Sequence, residues 1–167
     1  FDERPRQATR VVDALLASPE WASRIPAGRI AAIGHSAGGY TVLALAGGQA
    51  NATRISAHCK AVADDAGFCA LGKPGLDGVK RDKPAPVDVR DARIRAVVAM
   101  APVGMVFDPA SLGTIKVPVL AYFASLDRVL VPKYHGELLA ASMPQATHRR
   151  IEGAGHYVIE DAPDEVV

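Results

Sequence analysis

Three things are scarce in this sequence: aromatic residues at 5%, cysteines numbering 2, and any excess of charge of one sign. Lysine and arginine number 19 against 18 aspartate and glutamate, leaving a net charge of +1, and no basic run stands out. That balance lacks the electrostatic footprint that holds a polyanion, so neither nucleic acid nor an anionic membrane is an expected partner. Long apolar runs are missing as well. The most apolar stretches, residues 94–102 and 117–124, are strand-sized, far short of the roughly 20 apolar residues of a spanning helix, so no membrane span is expected. An initiator methionine is also lacking, and Phe1-Asp2 opens no charged-then-apolar leader, so a processed or partial product is expected.

The cysteines, Cys59 and Cys69, lie in a polar, glycine-containing stretch and fit two readings equally, a pair of free buried thiols or one loop-closing disulfide. A disulfide places the protein in a periplasmic or secreted setting, and free thiols place it in the cytoplasm. With His58 as the one neighbouring ligand type, the pair lacks the paired spacing of a zinc site. Asp64-Asp65 likewise shows no repeated ligand spacing and reads as a solvated turn.

What is present is the makeup of one ordinary soluble domain with a core, 49% hydrophobic and 22% charged over 167 residues. Residues 6–18 carry Ala8, Val11, Val12, Leu15 and Leu16 at helical spacing and stop at Ser18-Pro19. Residues 29–33 form a short apolar run that reads as a fully buried parallel strand. A tight turn and a buried helix over residues 40–46, ending at Gly47-Gly48, follow it. Residues 48–93 are an excursion with a helix near 52–63, placed to serve as a lid or side wall. Strands are expected at 94–100, 117–124 and 147–151, with a helix over 132–142. Arg149 and Arg150 suit a charged edge strand. Strands alternating with helices specify the α/β class, one domain over residues 1–167.

The chemistry sits in Gly34-His35-Ser36-Ala37-Gly38, a G-x-S-x-G pattern between a strand and a helix. A sharp turn there lifts the Ser36 hydroxyl from the sheet. Gly34 and Gly38 are expected to avoid clashes with strand and helix, and Gly39 to let the helix approach the sheet. The Ala37 N–H, at the helix start, can donate to an oxyanion. Serine is a weak nucleophile without a base and a group to orient that base. Asp127 follows the strand at 117–124, and His156 lies in Gly153-Ala154-Gly155-His156 after the last strand, completing the order Ser, Asp, His. Asp108 is the best rival acid, Glu160 and Asp161 poorer ones. His35 is expected to point away from the nucleophile as a packing residue, and His58, His135 and His148 to be surface or structural.

These segments, with Ala99-Met100-Ala101-Pro102 and Ser125-Leu126-Asp127-Arg128-Val129-Leu130-Val131-Pro132, resemble the α/β-hydrolase superfamily. More narrowly they resemble bacterial dienelactone-hydrolase-like and platelet-activating-factor-acetylhydrolase-like proteins. The resemblance implies an α/β-hydrolase fold, a mostly parallel sheet with helices on both faces. It implies Ser36 as nucleophile, Asp127 as acid, His156 as general base and the Ala37 backbone as one oxyanion donor. The implied activity is hydrolysis of a carboxylic ester or lactone through an acyl-enzyme, with no metal or organic cofactor. The family takes its second oxyanion donor from a loop ahead of the elbow. Here no strand precedes residues 29–33, so the expectation is the later half of the fold. Its open strand edge would pair with an N-terminal half or a second copy. A non-catalytic C-terminal fragment is the alternative, and a peptidase or acyltransferase on the same scaffold a further one.

Overall fold

The computed structural model describes residues 2–26, 28–71, 88–162 and 164. Four strands, β1 (Ile30–His35), β2 (Ile94–Met100), β3 (Val119–Ala124) and β4 (Thr147–Ile151), form one sheet in sequential order. Every pairing is parallel. α1 (Glu3–Ala17) precedes β1. Parallel neighbours require a crossover, and helices lie in each one: α2 (Ala37–Leu45), α3 (Thr53–Ala61) and α4 (Ala66–Leu71) separate β1 from β2; α5 (Pro109–Leu112) follows β2; α6 (Gly136–Ser142) follows β3. A short α7 (Val158–Asp161) comes after β4.

Side chains alternate across a strand, so β2 and β3, at the centre of the sheet, feed two cores. Val97, Ala99, Val119 and Ala121 pack with Leu43 of α2, Leu112 of α5 and Leu139 of α6 in the larger one. On the opposite face Met100, Tyr122, Ala124 and Ile151 close on Ala154 and Val158. Helices therefore cover both faces, and the α/β class expected from the strand and helix alternation is the observed one.

The strands at 94–100 and 147–151 fall where their patterns put them, and the third starts later than expected, after Pro118, whose nitrogen has no hydrogen for a ladder. The helix expected over 132–142 is divided. A 3₁₀ turn, Pro132–Tyr134, is followed by a break at His135 (φ −122°, ψ −80°) that turns the imidazole inward before α6 begins. Gly136 is required there, since a Cβ would lie 2.3 Å from the Phe123 ring.

The expectation of a fully buried first strand is corrected. Ile33 is 67% exposed, and Ala31 is exposed too. Ile33 pairs across to Val98 and on to Leu120, so the three share one face of the sheet. The core on that face gathers around β3, β4 and α7 and does not reach β1. Among the described residues β1 is also the outer strand, paired on one flank by β2.

Within the excursion, α3 and α4 are described and residues 72–87 lie outside the described set. Cys59 and Cys69 form a disulfide, with Cα atoms 5.6 Å apart, that ties α3 to α4. The pair packs on the loop after β3: Asp65 accepts the Val131 N–H at 3.3 Å, and a Cβ on Gly67 would fall 2.4 Å from the Arg128 carbonyl. No helix among the described residues is long and apolar enough to cross a membrane.

Candidate active site

Ser36 stands between the end of β1 and the start of α2 at φ 56° and ψ −117°. A non-glycine residue at positive φ is strained and is held there only by its surroundings. Three hydrogen bonds supply the hold. The Ser36 N–H donates to the Met100 carbonyl at 2.9 Å, and the Ser36 carbonyl accepts from Tyr40 N at 3.1 Å and Val103 N at 3.4 Å. Gly34 is needed because a Cβ would lie 2.3 Å from the Gly38 carbonyl oxygen, and Gly39 because one would lie 2.8 Å from Pro102. For Gly38 the expected clash is absent, since its Cβ direction is open.

Asp127 follows β3 and is buried. Its Oδ1 accepts the N–H groups of Val129 and Leu130, each at 2.8 Å, which fixes the carboxylate plane. Oδ2 faces His156, whose Nδ1 lies 2.7 Å away. A carboxylate can only accept, so Nδ1 carries the proton and Nε2 is left as an acceptor. The Ser36 hydroxyl lies 3.0 Å from Nε2 and donates to it. Thus the three residues singled out from the sequence, at the ends of β1, β3 and β4, meet in one hydrogen-bonded chain. Ala37 is the first residue of α2, and the first N–H groups of a helix have no acceptor within it. A cavity of about 240 Å³ bounded by Glu3, Arg4, Ala37, Tyr40 and Val103 opens beside it. Burial, with Asp2 adding to it, pushes the Tyr40 hydroxyl well above the usual tyrosine range, so it stays protonated.

The loop carrying His156 is pinned to the loop carrying Asp127. The Leu126 N–H donates to the Ala154 carbonyl at 2.9 Å, and the Gly153 N–H to Ser125 Oγ at 2.8 Å. Gly153 takes φ 77°, a conformation that favours glycine. Asp161, a rival acid in the sequence, instead accepts the Gly155 N–H at 2.7 Å. Asp108 caps α5 by accepting from Ala110 N.

One expectation about a polar residue is corrected. Asp65 is fully buried, not solvated. Its Oδ2 lies 2.7 Å from His58 Nε2 and 3.1 Å from His135 Nε2. His135 Nδ1 accepts the Gly104 N–H at 3.1 Å, so its proton sits on Nε2 and the ring is a neutral donor to Asp65. Burial, the largest influence, pushes the Asp65 carboxyl up. The influences of His135, His58 and the Val131 N–H together outweigh it and hold the carboxyl below the usual range. No local spacing announces this cluster, since His135 and Asp65 are 70 positions apart. The His35 ring packs against His156 and Tyr157, as expected of a packing residue, and it also makes a polar contact. Its Nε2 lies 2.8 Å from the His156 carbonyl.

No protein-family model matches the sequence, and no curated protein matches it. Among solved structures the chain is similar to one described as a "predicted CIB-like hydrolase from Thermoplasma acidophilum", at 17% identity and a TM-score of 0.54. The match covers 96% of this chain and 55% of that one, so this chain spans about half the length of the protein it resembles. At that identity the likeness is one of fold. The chain has an α/β fold, a parallel sheet with helices on both faces, which it shares with about half the length of that hydrolase.

Proposed function

We propose that this chain is the serine-nucleophile part of a hydrolase that cleaves a carboxylic ester or lactone through an acyl-enzyme. One observation carries the reading: the unbroken chain from Ser36 Oγ to His156 Nε2 at 3.0 Å and from His156 Nδ1 to Asp127 at 2.7 Å. In the proposed reaction Ser36 Oγ attacks the carbonyl carbon while His156 takes its proton. The imidazolium then protonates the leaving oxygen, and water, deprotonated by His156, releases the acid. Asp127 holds the tautomer and stabilises the imidazolium. The Ala37 N–H supports the developing oxyanion, aided by the positive end of α2. The likeness to dienelactone-hydrolase-like and platelet-activating-factor-acetylhydrolase-like proteins belongs to this proposal, as does the choice of ester over amide.

The test is turnover of p-nitrophenyl acetate by the chain and its Ser36→Ala variant. The proposal expects hydrolysis with an initial burst of nitrophenolate, and a loss of at least about 10³-fold in kcat on removing the hydroxyl. Equal turnover by both proteins contradicts it.

A further inference from the structure

We infer that His35 is a positioning residue for His156, an inference that rests on the reading of Ser36, His156 and Asp127 given above. The loop approaching His156 is anchored by hydrogen bonds at Gly153, Ala154 and Gly155. On the far side the next anchor is the Tyr157 carbonyl, which accepts from Glu160 and Asp161 at the start of α7. Between these two sets lies the peptide that joins His156 to Tyr157, and its carbonyl is the group His35 holds, at 2.8 Å. A carbonyl only accepts, so His35 donates from Nε2. The backbone on both sides of the His156 Cα is thereby fixed, and the imidazole swings from a stationary base.

Packing reinforces the bond. The His35 ring lies 4.9 Å from the His156 ring at 54°, and stacks on Tyr157 with centroids 5.7 Å apart and planes 26° from parallel. Tyr157 is 58% exposed, so this stack, and not burial in a core, gives its ring a fixed neighbour. His35 is also the residue directly before Ser36. One short segment at the end of β1 therefore sets both the nucleophile and the backbone of the base. The two ends of the 3.0 Å Ser36–His156 contact are then referred to the same rigid strand.

The experiment compares wild type with His35→Phe, which keeps an aromatic ring against Tyr157 but has no donor, and His35→Gln, which keeps an N–H of similar reach. Steady-state kinetics on p-nitrophenyl acetate should show kcat lower by about ten- to a hundredfold in the Phe variant, with KM within about twofold and the midpoint of thermal unfolding unchanged. The Gln variant should recover most of the loss. In proton NMR the downfield His156 Nδ1–H signal should be sharp in wild type and His35→Gln and exchange-broadened in His35→Phe. Wild-type kcat and a sharp signal in the Phe variant overturn the inference, as does a Gln variant no better than Phe. The NMR signal reports the placement of His156 whether or not the chain turns over esters. A wild type with a sharp signal and no Ser36-dependent turnover therefore fails the proposed function, while a sharp signal in the Phe variant fails the role of His35.

Discussion

At the scale of single residues, the site is built from a few positions where the backbone leaves no choice. Gly34 and Gly38 look alike in the sequence, yet a Cβ on Gly34 meets a backbone carbonyl at 2.3 Å and one on Gly38 meets nothing. The obstacle at Gly34 is backbone and not the end of a flexible side chain, so the elbow itself must shift to admit a methyl. Gly34→Ala is therefore expected to lower stability by about 1–3 kcal/mol through overpacking and to displace Ser36. Gly38→Ala sits within a helix, where alanine is favoured over glycine by up to about 1 kcal/mol, and should leave the unfolding midpoint unchanged or raised. Urea unfolding of the two variants beside wild type checks the contrast, and a Gly38 variant as damaged as the Gly34 one would contradict it.

At the scale of elements, the α3–α4 pair braces the loop that presents Asp127. The disulfide ties the two helices, and Asp65, held by His58 and His135, grips the Val131 N–H of that loop. Asp65→Asn puts an amide donor where the carboxylate accepts three hydrogen bonds, and is expected to cost about 2–3 kcal/mol in urea unfolding near neutral pH. The sign of the pH dependence follows from the lowered pKa. A carboxyl held below its unfolded value of about 3.9 contributes stability that is present above that value and is lost as pH falls through the folded one. Asp91 adds to the same slope, its carboxyl lowered chiefly by the Arg93 side-chain hydrogen bond. Wild type should thus lose stability in acid more steeply than Asp65→Asn. Identical slopes would contradict this account of the cluster.

The elements and the reactive residues were far more legible in the sequence than this brace. Ser36 and Asp127 each follow a strand whose apolar run is local, and His156 lies in a glycine-punctuated loop after a short polar strand, so their places at strand ends could be read without knowing the packing. Asp65 and His135 come together only because the excursion folds back over the loop after β3, a contact no periodicity encodes. The break at His135 has the same origin, since the helical spacing through residues 132–142 gives no sign that one ring is drawn inward. For Cys59 and Cys69 the pattern allowed both free thiols and a bridge, and the turn between α3 and α4 decides it.

At the scale of the whole molecule, the sheet presents an outer strand whose Ile33 is 67% exposed and whose far flank is unpaired among the described residues. An apolar, unpaired edge is a template for another strand. Self-association through β1 is therefore the expected behaviour in solution, with sedimentation velocity showing concentration-dependent species that Ile33→Lys suppresses. A wild-type chain that sediments as a monomer at every concentration would contradict that. The central claim, however, is that the strand ends of this α/β sheet assemble a working nucleophile. It is tested most directly by treating the chain with a fluorophosphonate and locating the adduct by peptide mass spectrometry. The account predicts one adduct, on the peptide containing Ser36, absent in Ser36→Ala and strongly slowed in His156→Ala; labelling of equal yield with and without the Ser36 hydroxyl, or no labelling of wild type, would contradict it.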